Sequence, residues 1–172
     1  MKNKKILFVV LAVLLWVALF VFSTKIILFI TGNTLKGEQI DTTTLSPDVK
    51  YHIDRISSPE GIMKKVTIEG WAFNVNYRDG SERNVSIILK GPEFSFEIPA
   101  KTYDSNGIAN HFKDLNISPE DLKFDTSFSV LAIPNGKYEI FVKVWETGEA
   151  FSMVQHYENY VKLGNEFSVV GD

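Results

Sequence analysis

Two hydropathy patterns divide this chain. Positions 6–22 carry no charge and are filled mainly by Leu, Val, Phe and Ala, and after a lone Lys25 the apolar run resumes at 26–30. As a helix, 6–30 would extend about 37 Å, enough for a hydrocarbon core of about 30 Å, with Lys25 reaching toward one interface. From 31 to 50 large apolar residues are sparse, and Gly32, Asn33, Gly37, Thr42, Thr43, Thr44, Ser46 and Pro47 mark a polar spacer. From 51 onward apolar and polar residues alternate with period two and Val, Ile, Phe and Tyr are frequent, the signature of half-buried strands. The pattern predicts strands at 51–56, 65–75, 84–90, 94–100, 127–133, 137–146, 150–157, 160–163 and 167–170.

The junctions carry turn chemistry. Arg78, Asp79, Gly80 and Ser81 predict a hairpin, because Asp-Gly accepts the positive φ angles of a type I′ turn. Gly91-Pro92, Pro134-Asn135-Gly136 and Thr147-Gly148 punctuate later boundaries. The rhythm breaks over 105–122, where Ile108, Phe112 and Leu115 are spaced for one face of a short helix. Ser118-Pro119-Glu120-Asp121 predicts the cap and first turn of another. The fold class is therefore all-β: a β-sandwich of Ig-like or jelly-roll type with a short helical excursion, preceded by one N-terminal transmembrane helix. Its parts are a cytoplasmic N-terminus at 1–5, a signal anchor at 6–30, a spacer at 31–50 and an extracytoplasmic domain at 51–172.

Charge gives the tether a direction. Of 18 Lys and Arg, four (Lys2, Lys4, Lys5 and Lys25) fall in the first 30 positions, and all 21 Asp and Glu follow them, leaving the body at −7. The positive-inside rule keeps the N-terminus in the cytoplasm and sends the body across the cell membrane. A cleaved signal peptide would have a shorter core and a small-x-small site, which Ser23-Thr24-Lys25 and Ile30-Thr31-Gly32 fit poorly. The acidic body argues against nucleic acid, which needs a basic stripe, and against anionic polymers. With no Cys there is no lipoprotein anchor, disulfide or thiolate metal site. An exported domain held by its core alone points to a bacterial envelope.

Catalytic signatures are missing: no nucleophile elbow, P-loop, dinucleotide fingerprint or His-Glu-x-x-His. His52, His111 and His156 lie on separate segments, and only His156 with Glu158 makes a weak strand pair, so no metal and no cofactor is expected. Asp104-Ser105-Asn106-Gly107 has the wrong spacing for a calcium loop and fits an Asx-type turn. Glu120 and Asp121 suit a helix start better than acid-base work on a glycan. Asn84-Val85-Ser86 and Asn116-Ile117-Ser118 match the glycosylation sequon, a chance match in a bacterial product.

Aromatic placement carries more. Tyr138, Ile140, Val142 and Val144 share one strand face, and Glu139, Phe141, Lys143 and Trp145 share the other. Likewise Val66, Ile68, Gly70 and Ala72 oppose Thr67, Glu69, Trp71 and Phe73. Rings on a polar sheet face can stack on the C–H face of a sugar, which makes Trp71, Phe73, Phe141 and Trp145, with Tyr77 at the hairpin end, the candidate ligand-binding residues. The alternative is packing, with a bulge at Gly70 returning Trp71 to the core.

The segment Ile68-Glu69-Gly70-Trp71-Ala72-Phe73 resembles the opening strand of Ig-like or jelly-roll accessory domains of bacterial membrane-anchored surface proteins. Tyr103-Asp104, the stretch 108–115, the strand 128–133 and Gly136-Lys137-Tyr138 follow in the order that family shows, over about 64–144. Ser127-Phe128 stands where the family often has Gly-Phe. The resemblance implies binding or presentation at the envelope rather than catalysis. The expected role is a binding or accessory module for an envelope protein partner or a neutral polysaccharide, tethered to the membrane by 6–30. The competing expectation is an envelope hydrolase or transferase with loop-borne carboxylates.

Overall fold

The computed structural model describes residues 2–30, 35–42, 45–76, 82–147 and 150–170. The chain divides into two compact units, Met1–Thr34 and Leu35–Asp172.

The first unit is helix α1 (Lys2–Ile30), apolar on every side and with no acidic residue in its first turn. Its side chains are described without a break only over 8–19, about 18 Å of helix. Among the described residues no helix is long and apolar enough to cross a membrane, so the crossing expected of 6–30 rests on the sequence.

In the second unit the described strands form two antiparallel sheets. The larger has the order β1-β5-β4-β8-β9-β10 and the smaller β2-β3-β7-β6. Their ranges are β1 (Gly37–Glu38), β2 (Val49–Ile56), β3 (Lys65–Asn74), β4 (Arg83–Lys90) and β5 (Ser95–Pro99). They continue with β6 (Lys101–Tyr103), β7 (Lys123–Ser129), β8 (Gly136–Glu146), β9 (Ser152–Leu163) and β10 (Glu166–Val169). Alternation sends Val66, Ile68 and Ala72 of β3, Val85, Ile87 and Leu89 of β4, and Ile140, Val142 and Val144 of β8 into one shared core. That core, between two sheet faces, is what makes the unit a β-sandwich.

Several boundaries depart from the sequence reading. β7 lies at Lys123–Ser129 rather than 127–133, because Ser129 Oγ accepts the Leu131 N–H and turns Val130–Ala132 into a 3-10 helix. The strands expected at 150–157 and 160–163 are one strand, β9, which sets three residues between Gln155 and Asn159 where β8 sets one between Glu139 and Phe141. The spacer contributes β1, and the short β6 joins the edge of the smaller sheet. Asn106–His111 forms helix α2, followed by a 3-10 turn at Lys113–Leu115. No helix forms at Ser118-Pro119-Glu120-Asp121, where Asp121 instead takes a φ of +52°. The hairpin expected at Arg78 to Ser81 lies outside the described residues.

Four connections build one end of the sandwich: 57–64, 91–94, 130–135 and 164–165. Ser129 Oγ donates to Met63 O and Lys64 O accepts Val130 N–H at 3.1 Å, joining the first to the third. Asn135 Oδ1 accepts from both Lys162 Nζ (2.8 Å) and Gly164 N (3.0 Å), bringing in the fourth. A Cβ on Gly136 would stand 3.0 Å from Pro92, so the second closes against them. Nearby, Tyr138 is buried with its hydroxyl donating to Pro134 O at 2.8 Å, and burial pushes its pKa up to about 12.

Candidate functional site

The outward face of the smaller sheet is assembled from neighbouring strands. His52 of β2 stands directly opposite Trp71 of β3, with Phe73 two residues further along. The expected alternative of a bulge at Gly70 does not occur: β3 keeps continuous register with β7 through Gly70, and the irregularity falls on β2 between Ile53 and Arg55. Trp71 therefore faces outward. Gly70 is where the backbones close in, since a Cβ there would lie 2.2 Å from the His52 carbonyl oxygen.

Helix α2 covers this face. Ser105 is its N-cap, accepting the Ile108 N–H, and is not part of an Asx turn that the sequence suggested. Asp104 Oδ1 accepts the Asp121 N–H at 3.2 Å and Pro119 O accepts the Ser105 N–H at 2.7 Å, so the excursion closes on itself. It delivers Phe112 edge-on to Trp71, at 5.3 Å between centroids, and to Phe73, at 5.1 Å. Trp71 and Phe73 stack at 5.9 Å, and His52 and His111 flank the group at 6.2 Å from Trp71 and 4.7 Å from Phe112. Between helix and sheet is a cleft of about 280 Å³ lined by His52, Trp71, Gly107, Ile108, His111 and Phe112. It offers one half-buried indole, two imidazoles and no charged wall.

The sequence-derived candidates divide. Trp71 lines the cleft, whereas Phe73 is fully buried beneath Phe112 and does not present its ring to a ligand. Phe141 does point out of the larger sheet, but it is buried with Ile88 and Met153 under Ile40. The segment expected to be a spacer is thus a strap, fastened by β1 to β5 at one end and by the Ser46 N–H to Met153 O at the other. Trp145 is half-buried on the same sheet, with the Lys143 ammonium 5.1 Å from its ring and 4.9 Å from Phe151. Lys143 also binds Glu97 Oε1 at 2.9 Å, so the protein's own cation occupies that aromatic pair. Tyr77 lies outside the described residues.

His52, His111, Ile108 and Phe112 were absent from the candidates. The helical spacing of Ile108 and Phe112 was the usable signal, since an apolar helix face needs a sheet to cover. Among the described residues no three potential ligands gather for a metal. His156 is buried on the irregular part of β9, its Nε2 3.6 Å from Glu158 Oε2 and its Nδ1 without a hydrogen-bond partner among the described residues. Burial holds its pKa below the ordinary histidine value, with Glu158 opposing the shift.

No family model matches the chain, and no curated protein matches it. Among solved structures it is similar to a DUF4426 family protein from Pseudomonas aeruginosa PAO1. That likeness has 12% identity and a TM-score of 0.37, over 73% of this chain and 97% of that one, too slight to assign a fold or a function.

Proposed function

We propose that this chain is a single-pass membrane protein whose extracytoplasmic β-sandwich binds a neutral saccharide in the cleft between α2 and the smaller sheet. The observation that carries the reading is the cleft itself: the Trp71 indole beside His52 and His111, in about 280 Å³ of space with no charged lining residue. An indole face stacks on the C–H face of a sugar ring, and imidazoles exchange hydrogen bonds with hydroxyls in either direction. The volume is slightly below the range of drug-sized pockets, which suits one sugar ring rather than a long peptide. We include kinship with Ig-like or jelly-roll accessory domains in this proposal.

The anchor is supported by α1. Its described side chains over 8–19 are apolar and exposed, and a helix apolar all round belongs in lipid or inside a larger protein. Lys2, Lys4 and Lys5 at its start favour a cytoplasmic N-terminus. The enzyme reading has His52 Nε2 3.7 Å from Asp54 Oδ1, but Asp54 does not line the cleft, and binding is favoured.

The test is binding of the full chain, held in lipid nanodiscs, to neutral cell-wall polysaccharides. Trp71→Ala and His111→Ala are expected to weaken binding about tenfold and Trp145→Ala to leave it unchanged. Absence of binding by the parent, or equal binding by all variants, overturns the site. Protease added to intact cells is expected to remove the sandwich; degradation only after lysis overturns the location.

A further inference from the structure

The cleft between α2 and the smaller sheet has two kinds of wall, one of carbon and one of imidazole. Phe112, the C-cap of α2, lies one turn after Ile108, and its N–H donates to Ile108 O at 3.1 Å. That turn is also held from outside the helix. Asp121 donates its N–H to Asp104 Oδ1 at 3.2 Å and accepts the Thr102 hydroxyl at 2.7 Å. Ile108 and Phe112 are half-buried and line the cleft beside the half-buried Trp71 indole.

The planes of Trp71 and Phe112 meet at 61°, which makes a corner. A sugar ring lying on the open part of the indole turns one edge toward Phe112 and Ile108, and the substituent on that edge decides the fit. A hydroxyl placed there loses its hydrogen bonds to water and gains none from carbon. A methyl group placed there leaves water at no such cost.

The polar wall has a matching demand. His52 Nε2 is 3.7 Å from Asp54 Oδ1, beyond hydrogen-bonding distance, and His111 stands edge-on to the Phe112 ring at 87°. A neutral imidazole carries one donor and one acceptor, so two of them suit a group with one N–H and one C=O.

We infer that the cleft selects an N-acetylated amino sugar, with the acetamido methyl against Ile108 and Phe112 and the amide N–H and carbonyl on the imidazoles of His52 and His111. The inference rests on the saccharide reading proposed above. An unsubstituted hexose brings only a hydroxyl to the apolar corner. A sugar with a free amine or a carboxylate brings a charge that no lining residue balances.

The probes are the trimer of N-acetylglucosamine and the trimer of glucose, which share one backbone linkage and differ in carrying acetamido or hydroxyl on the second ring carbon. Each is titrated calorimetrically into the full chain held in lipid nanodiscs. The acetamido trimer is expected to bind about tenfold more tightly, the discrimination that a small apolar group supports. Ile108→Ala, which keeps a good helix former on α2, should close most of that gap, and Ile108→Leu should keep it. Trp71→Ala should weaken both probes. Equal affinities, tighter binding of the glucose trimer, or a preference untouched by Ile108→Ala overturns the acetamido assignment and leaves the saccharide reading standing. The parent's ratio alone decides the assignment if Ile108→Ala fails to fold. Binding of a neutral wall polysaccharide but of neither trimer overturns the assignment alone, and binding of none of them overturns both.

Discussion

Phe112 of α2 stands edge-on to Trp71 of β3, with ring centroids 5.3 Å apart and planes at 61°. The contact joins a helix to a sheet face that would otherwise be wet, and it shapes one wall of the cleft. Phe112→Ala removes a half-buried ring and its three aromatic contacts, with Trp71, Phe73 and His111, and is expected to cost about 2 kcal/mol. It also exposes Trp71. Urea unfolding followed by tryptophan emission in a Trp16→Phe, Trp145→Phe background, which leaves Trp71 as the single indole, should show a lower midpoint and, before unfolding, a red-shifted native spectrum. An unchanged native spectrum would mean that Phe112 does not cover the indole.

Two glycines of this site should respond in opposite directions. At Gly70 a Cβ would collide with the His52 carbonyl at 2.2 Å, and backbone cannot yield as a side-chain tip can. Gly70→Ala should therefore cost roughly 2–3 kcal/mol by forcing β2 away from β3. At Gly107, within α2, a Cβ meets only Ser105 Oγ at 4.0 Å. Gly107→Ala should be neutral or stabilise by about 0.5 kcal/mol, because alanine restricts the unfolded chain and favours helix. Chemical denaturation of both variants beside the parent checks the contrast.

This contrast marks how far the sequence was legible. Alternation placed the faces of β3 and β8, because side-chain direction on a strand depends only on position parity. What covers an outward face is decided by segments distant in sequence. Phe73 and Phe141 point away from the central core as their parity requires, yet Phe112 beside α2 covers one and Ile40 of the strap covers the other. The polar composition that read as a spacer concealed Ile40, a single apolar contact sufficient to lay the segment across Ile88, Phe141 and Met153. The cleft was hidden for the same reason, since His52 and His111 meet only once α2 has docked. β7 was displaced in the reading because the apolar run after Phe128 looks like a strand, whereas Ser129 ends one there by capping a turn.

The strap gives a separate prediction. Ile40 packs on Ile88, Phe141 and Met153, all nearly inaccessible. Ile40→Asp would place a carboxylate against that apolar surface and release the strap rather than bury the charge. The expected cost is about 1–2 kcal/mol, the burial of part of one isoleucine. Limited proteolysis should then cut within 38–46 faster than in the parent, while the hairpin at 61–64 is cut at the parent's rate. Equal cleavage within 38–46 in the two proteins would show that Ile40 does not hold the strap.

His156 predicts the pH dependence of stability. Its ring is buried beside Tyr51 and Tyr157, Glu158 lies 3.6 Å from its Nε2, and His52 is near enough to oppose its protonation. Burial dominates, so the folded pKa lies below the ordinary histidine value of 6.5, and the unfolded chain binds the proton more readily. The stabilisation is therefore complete above the unfolded value and declines as pH falls below about 6.5, levelling off once the folded group itself protonates. Urea midpoints measured between pH 7.5 and pH 5 should fall in the parent. In His156→Leu, which keeps an apolar side chain at the buried position and cannot titrate, the fall should be smaller. An identical slope in both proteins would assign the decline to other groups, and a steeper slope in the variant would reverse the sign argued here.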